Sequence, residues 1–408
     1  MKIKLFYIHP TNYGNLMMAC VFIEHFHQIM IDKGKGSPEF YLDVLDDAEL
    51  YRVKKSLPEG IKIYREHLFD RKRRGIIGKL TKLINIPKEI IYNCKTYDIC
   101  IVLGGDCISQ YYSKQIFISD MLKFRMISKK VPFYLLGQTM GPFHGYGVKL
   151  VQKCLKNCKI YLRDYDCFEY INKTFHFPYL YEARDLAFLD IPFQNDSQKK
   201  CDLLKQYVGG KPYITIVPSG ADRQYTSNIS DYIREYIKII DYLIHTTEYD
   251  ILLLAHVIHV SDSNDKRIID QMIKKIDTCY LTRIHVVNFL LLPYEARILL
   301  GNGIATITGR MHAAVSSINM GTIPICLSYS VKYKGVIGDD FELNDYIYEC
   351  RGNEIWAQGK VHAEVIQMLD FVLQNREELL KQIYSKLEIV QKKALGQIYE
   401  TAKEIENN

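Results

Sequence analysis

The sequence predicts an α/β protein made of two parallel-sheet domains. Three observations carry that expectation. Short β-branched, apolar runs alternate with helix-length amphipathic stretches, which is the pattern of strands joined by crossover helices. The alternation runs through the first half, stops at a polar stretch and starts again. A chain of 408 residues, 48% of them hydrophobic, can also bury two ordinary cores.

In the first half the predicted strands are Ile3–Ile8, Phe40–Leu45, Ile61–Tyr64, Ile99–Leu103, Phe133–Leu136 and Ile160–Leu162, with helices at Leu16–Asp32, Gln110–Ser128 and Gly147–Asn157. The polar segment Asp190–Lys211, with Pro192 and Gly209-Gly210, reads as a linker. The second half predicts strands at Tyr213–Val217, Ile251–Ala255, Ile284–Val287, Ala305–Ile307 and Ile323–Leu327. Helices are predicted between them at Ser230–Thr246, Asp265–Lys275, Tyr294–Leu300 and Met311–Asn319. Val361–Glu406 reads as long helices that pack back on the first domain. The expected domains are therefore 1–195 and 210–360, followed by helices over 361–408.

The bulk properties narrow the class. Charged residues make up 25% of the chain, which is globular and not disordered. No apolar run is long enough to span a bilayer. Met1–Ile8 has neither the apolar stretch nor the cleavage site of a signal peptide. The 11 cysteines form no C-x-x-C pair and no zinc spacing, which predicts buried, reduced thiols. A cytoplasmic location is expected. The net charge of +6 and pI near 8.5 suit an anionic small substrate or an anionic surface, and no nucleic-acid motif accompanies them. One segment stands out. Arg71-Lys72-Arg73-Arg74, followed by Lys79, Lys82 and Lys88 among Ile76, Ile77, Leu80, Leu83 and Ile84, is basic and amphipathic. Such a segment either makes a peripheral contact with an anionic membrane surface or is a solvated helix or loop beside the cleft.

Doubly wound sheets bind ligands outside the carboxyl ends of their strands, so the turns there carry the functional reading. The first such turn is His9-Pro10-Thr11-Asn12-Tyr13-Gly14-Asn15, where a glycine and small polar residues admit a ligand near free helix N–H groups, or merely cap the helix. Gly104-Gly105-Asp106 follows a buried strand, and Asp106 can orient a sugar hydroxyl, act as a base or merely cap the helix Gln110–Ser128. Gly137-Gln138-Thr139-Met140-Gly141-Pro142, Arg163-Asp164 and Arg184-Asp185 come next, and arginine beside aspartate is commonly a structural ion pair. The fullest constellation is in the second half. Thr308-Gly309-Arg310-Met311-His312 ends one strand and opens a helix, and Ser328-Tyr329-Ser330-Val331-Lys332 ends the next. Arg310, His312 and Lys332 bring two fixed cations and an imidazole to one sheet edge, which suits a small, highly charged anion. His256 ends another strand and is a further cleft candidate. His259 lies three residues on, but no metal motif supports a metal site there.

Taken in order, these turns resemble the polysaccharide pyruvyl transferase family. The matching stretches are Asn12-Tyr13-Gly14, Gly104-Gly105-Asp106, Gly137-Gln138, Arg163-Asp164, Asp185-Leu186-Ala187-Phe188, Pro218-Ser219, His256, Gly309-Arg310-Met311-His312 and Lys332. Asn15 stands where that family usually has an acidic residue. The resemblance implies a glycosyltransferase-B-like fold of two Rossmann-like domains facing a cleft. It implies phosphoenolpyruvate as donor, with no cofactor, and a sugar hydroxyl acceptor on a surface polysaccharide or its lipid-linked precursor. Carried over to this chain, the donor side comprises Arg310, His312, Lys332, Ser219 and Arg163. The acceptor side comprises Asn12, Gly14, Asp106 and Gln138. His312, Arg310 and His256 are the expected catalytic residues.

Two other readings stay open. A nucleotide-sugar glycosyltransferase of the same fold would need a ribose-binding glutamate in the second domain, and Gly309 to Gly335 contains none. A non-catalytic binding protein on this fold would be expected to have lost the cationic turns, yet Arg310, His312 and Lys332 are all present.

Overall fold

The computed structural model of the chain describes residues 1–66, 76–111, 113–259 and 263–406. The basic stretch from Arg71 to Arg74 lies outside them, as do the side chains that follow it up to position 85. The chain divides into two compact units. Unit 1 contains Met1–Pro10, Asn15–Leu186 and Lys392–Asn408, and unit 2 contains Thr11–Gly14 and Ala187–Gln391.

Unit 1 is built on a seven-stranded sheet: β1 (Lys2–Phe6), β2 (Glu39–Leu42), β3 (Lys62–Arg65), β4 (Ile99–Leu103), β5 (Phe133–Gln138), β6 (Lys159–Leu162) and β7 (Leu180–Glu182). The spatial order is β3-β2-β1-β4-β5-β6-β7. Unit 2 carries a six-stranded sheet of β8 (Tyr213–Val217), β9 (Asp250–Leu254), β10 (Ile284–Val287), β11 (Ala305–Thr308), β12 (Ile323–Ser328) and β13 (Ile347–Glu349), in the order β10-β9-β8-β11-β12-β13. Every pairing is parallel. This is the predicted fold class: two parallel-sheet α/β domains with a helical C-terminal end.

The sequence explains why these strands sit where they do. Every residue of β4, β5, β8, β9, β11 and β12 is buried, because helices cover both faces of a parallel sheet. The covering helices are one-sided. In the helix Ile229–Thr246 the buried residues are Tyr232, Ile233, Glu235, Tyr236, Ile239, Ile240 and Leu243, a stripe at helical spacing. Asn228 starts that helix by accepting hydrogen bonds from the Ser230 and Asp231 amides through its side chain.

Several expectations need correction. The segment read as a linker, Asp190–Lys211, contains the helix Ser197–Val208. Asp196 caps its start through the Lys199 amide at 3.0 Å, and Gly209 ends it at φ +60°. Only Leu203 and Val208 of that helix are buried, so its apolar stripe is too thin to stand out in sequence. The edge strands β7 and β13 are three residues each and were not foreseen. β1 stops at Phe6, short of the expected Ile8, because Tyr7 adopts φ +60°. Among the cysteines, Cys107, Cys201 and Cys279 are exposed and not buried. The final helix, Arg376–Glu406, ends within unit 1, where Gln397 Nε2 donates to the Arg184 carbonyl at 2.8 Å and Glu404 accepts from Tyr134 Oη at 2.8 Å. Among the described residues, no helix is long and apolar enough to cross a membrane.

Candidate functional site

Strand order marks one point of unit 2. β8 lies between β9 and β11, so the crossovers leaving β8 and β11 depart to opposite faces of the sheet. A crevice opens there beyond the carboxyl ends of the strands. Ser219 follows β8 and Gly309 follows β11. A Cβ on Gly309 would stand 2.8 Å from Tyr225 Oη and 3.1 Å from Ser219 Cβ, so the two turns close on each other only because residue 309 is glycine. The Gly309 carbonyl accepts from Tyr333 Oη at 2.7 Å and lies 2.9 Å from Tyr225 Oη. Ser219 is fully buried, and its hydroxyl accepts from the Ala221 amide at 3.2 Å.

Arg310 caps the helix Met311–Asn319 with extended backbone, at φ −122° and ψ 113°. Its side chain turns to Asp265: Nη2 donates to Oδ1 at 2.5 Å and Nε to the same oxygen at 3.0 Å, while Nη2 also donates to the Ser263 carbonyl at 2.9 Å. No hydrogen bond from Nη1 reaches a described residue. Asp265 is completely buried and accepts further from the amides of Gly220 at 2.6 Å, His256 at 3.0 Å and Val257 at 2.7 Å. One carboxylate thus ties together the turns after β8, β9 and β11. Burial opposes the charge on Arg310, but the adjacent Asp265 carboxylate outweighs it and holds the guanidinium above its ordinary pKa.

His256 is 1% exposed. Burial, reinforced by the neighbouring charges of His312, Arg310 and Arg297, drives its pKa well below the usual histidine value, so the ring is neutral near pH 7. Its Nε2 is buried with no hydrogen-bond partner among the described residues. The ring meets Tyr13 edge-on, with centroids 5.4 Å apart, and the Tyr13 amide donates to the His256 carbonyl at 3.3 Å. Tyr13 Oη accepts from the Leu291 amide at 2.6 Å. Asn12 bridges to Val257, and its side chain accepts from the Gly14 amide at 3.1 Å. The opening turn is therefore strapped to the loop after β9.

This strap explains Gly14. A Cβ at that position would fall 2.3 Å from both Cγ and Nδ1 of His312. The backbone of residue 14 forms one wall of the His312 ring, and no side chain fits between them. Gly14→Ala is therefore expected to displace the imidazole while the unit stays folded. Melting close to the parent's, combined with turnover lowered about a hundredfold, is the expected pair of results, since misplacing a reacting group by about 1 Å has that scale of effect.

Lys332 Nζ donates to Tyr329 Oη at 3.1 Å and stands 5.0 Å above that ring. Tyr329 packs edge-on against Tyr225, with ring centroids 5.2 Å apart. Asn12, Gly14, Ser219, His256, Arg310, His312 and Lys332 thus all belong to unit 2.

Asp106, Gln138 and Arg163 belong to unit 1. Asp106 is half-buried in the turn after β4. Gln138 is fully buried, and its amide donates to the Val102 and Leu136 carbonyls at 3.2 and 3.1 Å. Arg163 pairs with Asp185 at 2.6 Å with both side chains buried, and Asp164 caps the helix Tyr165–Phe175 through the Cys167 amide. Asn15 donates through Nδ2 to the Tyr7 carbonyl at 3.1 Å, a bond that a carboxylate cannot make.

Sequence reasoning missed Asp265, Tyr225 and Tyr333. Asp265 follows Asn264 at a helix start, where an acid is ordinary, so its role as a hub had no separate signal. Among the described residues, no three His, Cys, Asp or Glu side chains cluster so as to hold a metal ion.

Comparison with known proteins places this geometry. The profile of a family described as polysaccharide pyruvyl transferase matches residues 33–331. No curated protein matches the chain in sequence. Among solved structures, the UDP-GlcNAc 2-epimerase from Neisseria meningitidis, bound to UDP-GlcNAc, superposes with a TM-score of 0.66 at 10% identity, covering 99% of this chain and 100% of that one. A glycosyltransferase from Rickettsia africae gives 0.56 at 13% identity, covering 100% and 99%. Anabaena HepE in complex with UDP gives 0.56 at 11% identity, covering 99% of each chain. At these identities the likeness is one of fold, and that fold is glycosyltransferase-B-like.

Proposed function

Because this chain belongs to the polysaccharide pyruvyl transferase family, we propose that it moves the pyruvyl group of phosphoenolpyruvate onto two hydroxyls of a sugar, on a surface polysaccharide or its lipid-linked precursor, to form a pyruvate ketal. The observation that supports this most is the Arg310 turn. It holds a fixed cation locked by a buried carboxylate, with a half-buried imidazole two residues on, at a helix N-terminus on the switch point of the sheet. Such a turn suits a small anion with two charged ends.

In the proposed reaction Arg310 meets the donor carboxylate through Nη1, the nitrogen that Asp265 and Ser263 leave open, and Lys332 meets the phosphate. His312 delivers a proton to the methylene carbon, which leaves positive charge on the central carbon and its ester oxygen. One sugar hydroxyl bonds to that carbon and gives up its proton. The bond between that carbon and the ester oxygen then breaks, and inorganic phosphate departs with that oxygen. The second hydroxyl closes the ring and gives up its proton in turn. One phosphoenolpyruvate and one diol therefore become one ketal and one phosphate. Fixed charges that need no rearrangement favour this charge development. His256, buried and neutral, carries no proton to supply as the acid.

A ligand that binds only the folded state raises its melting temperature. Phosphoenolpyruvate is expected to stabilise the protein with chelator present, and UDP-sugars are not. Stabilisation by a UDP-sugar alone would replace this reading with a nucleotide-sugar transferase.

A further inference from the structure

We propose that one outer face of unit 1, formed by the helix Lys114–Ile127 and by residues 86–96 of the helix before it, docks on an anionic lipid surface. On the first helix Ile116, Leu122 and Met126 are exposed by 59, 44 and 46%. With Gln115 and Ser119 they occupy one side of the helix, and none of these five residues is charged. One contact sets the neighbouring helix beside it: Lys123 Nζ lies 3.6 Å from Glu89. The two helices lead into the parallel strands β4 and β5, so they run in the same direction, and Ile91, itself 55% exposed and two residues beyond Glu89, comes about level with Met126, three residues beyond Lys123. Tyr146, 42% exposed, extends the patch at its other end, with Lys114 Nζ 4.7 Å above its ring.

The charges around this patch choose its occupant. Lys88, Lys95, Lys114, Lys129 and Lys130 are all exposed around it. The acids Asp120 and Glu89 are turned to Lys123, at 3.2 and 3.6 Å. An apolar stripe rimmed by lysines has the composition of an interfacial helix, whose apolar residues enter the acyl boundary while the cations meet anionic headgroups. A second copy of this chain would bring the same lysines against themselves, so like-charge repulsion disfavours a self-association surface. The inference does not depend on the transfer reaction, because its test reads no activity.

The experiment is flotation of the full chain with vesicles of phosphatidylcholine alone and of phosphatidylcholine mixed with phosphatidylglycerol, at low and moderate salt. Binding is expected only to the anionic vesicles, and salt should weaken it. Leu122→Ser with Met126→Ser should remove most of it. Lys129→Glu with Lys130→Glu should lower the partition coefficient at least about tenfold, given the share each lysine contributes near such a surface. All four positions are solvent-facing, so parent-like melting of the variants is the control. No flotation with anionic vesicles overturns the proposal. So does flotation that survives both double substitutions, which would assign binding to another segment. A dimer that Leu122→Ser with Met126→Ser dissociates, without lipid binding, would assign the face to a second copy.

Discussion

Replacing Asp265 with alanine is expected to destabilise the protein by about 3–5 kcal/mol and to abolish its response to phosphoenolpyruvate. The stability loss follows from what the carboxylate leaves behind. Arg310 would remain a cation in a buried site without its counter-charge, and breaking one side of such a pair has that order of cost. The amides of Gly220, His256 and Val257 would also lose their acceptor. The loss of ligand response follows from geometry, because the turns after β8, β9 and β11 are held together through this one group. Asp265→Asn keeps one carbonyl oxygen and removes the charge, so an intermediate loss is expected. The double variant Asp265→Leu with Arg310→Met separates the two effects. It removes both charges and should recover part of the stability, but only part, since three amides stay unsatisfied. It should recover none of the ligand response. Denaturant unfolding together with melting in the presence of phosphoenolpyruvate measures both quantities. An Asp265→Ala protein as stable as the parent would show that the carboxylate is not the keystone of these turns.

Asp265 also shows where a sequence stops being legible. Both sheets could be read because burial on two faces forces apolar runs such as Ile99–Leu103 and Tyr213–Val217, and a run is a local property. The helix Met311–Asn319 could be read for the same reason. The edge strands β7 and β13 could not, since three residues with one exposed flank need no apolar run. The Ser197–Val208 helix was hidden by a polar surface, although its cap at Asp196 and its stop at Gly209 are both signals in hindsight. At the site, Arg310, His312 and His256 were found because each lies just past the carboxyl end of a strand, where ligands gather. The hub joining them was not, because its ligands come from positions 220, 256, 257 and 310, and no spacing in the chain encodes that convergence. Gly14 was marked as a place of close approach, but the group approaching it, His312, is almost 300 residues away in the chain.

His312→Ala is expected to leave the stabilisation by phosphoenolpyruvate intact and to lower turnover by roughly a hundredfold to ten-thousandfold, the usual contribution of a positioned acid or base. Arg310→Ala should lose both the stabilisation and the turnover. The difference rests on chemistry first. A guanidinium stays charged at every working pH and cannot shuttle protons, whereas an imidazole gives or takes one near neutrality. It rests on geometry second. Two residues apart in a regular helix, these side chains would diverge by about 200°. Arg310, however, is the cap, with extended backbone at φ −122°, and only from residue 311 does the helix begin. The cap can therefore send its guanidinium back to Asp265 while His312 leans on Gly14, and both stay at the same end of the helix. His256 cannot substitute as the acid, because burial among Arg310, Arg297 and His312 keeps it unprotonated. The measurement is phosphate release with phosphoenolpyruvate and a panel of sugar acceptors, read beside the melting shift. Turnover of His312→Ala near the parent rate would remove His312 as the acid. A melting shift retained by Arg310→Ala would remove Arg310 as the donor's anchor, and the carboxylate would then have to be sought at Lys332.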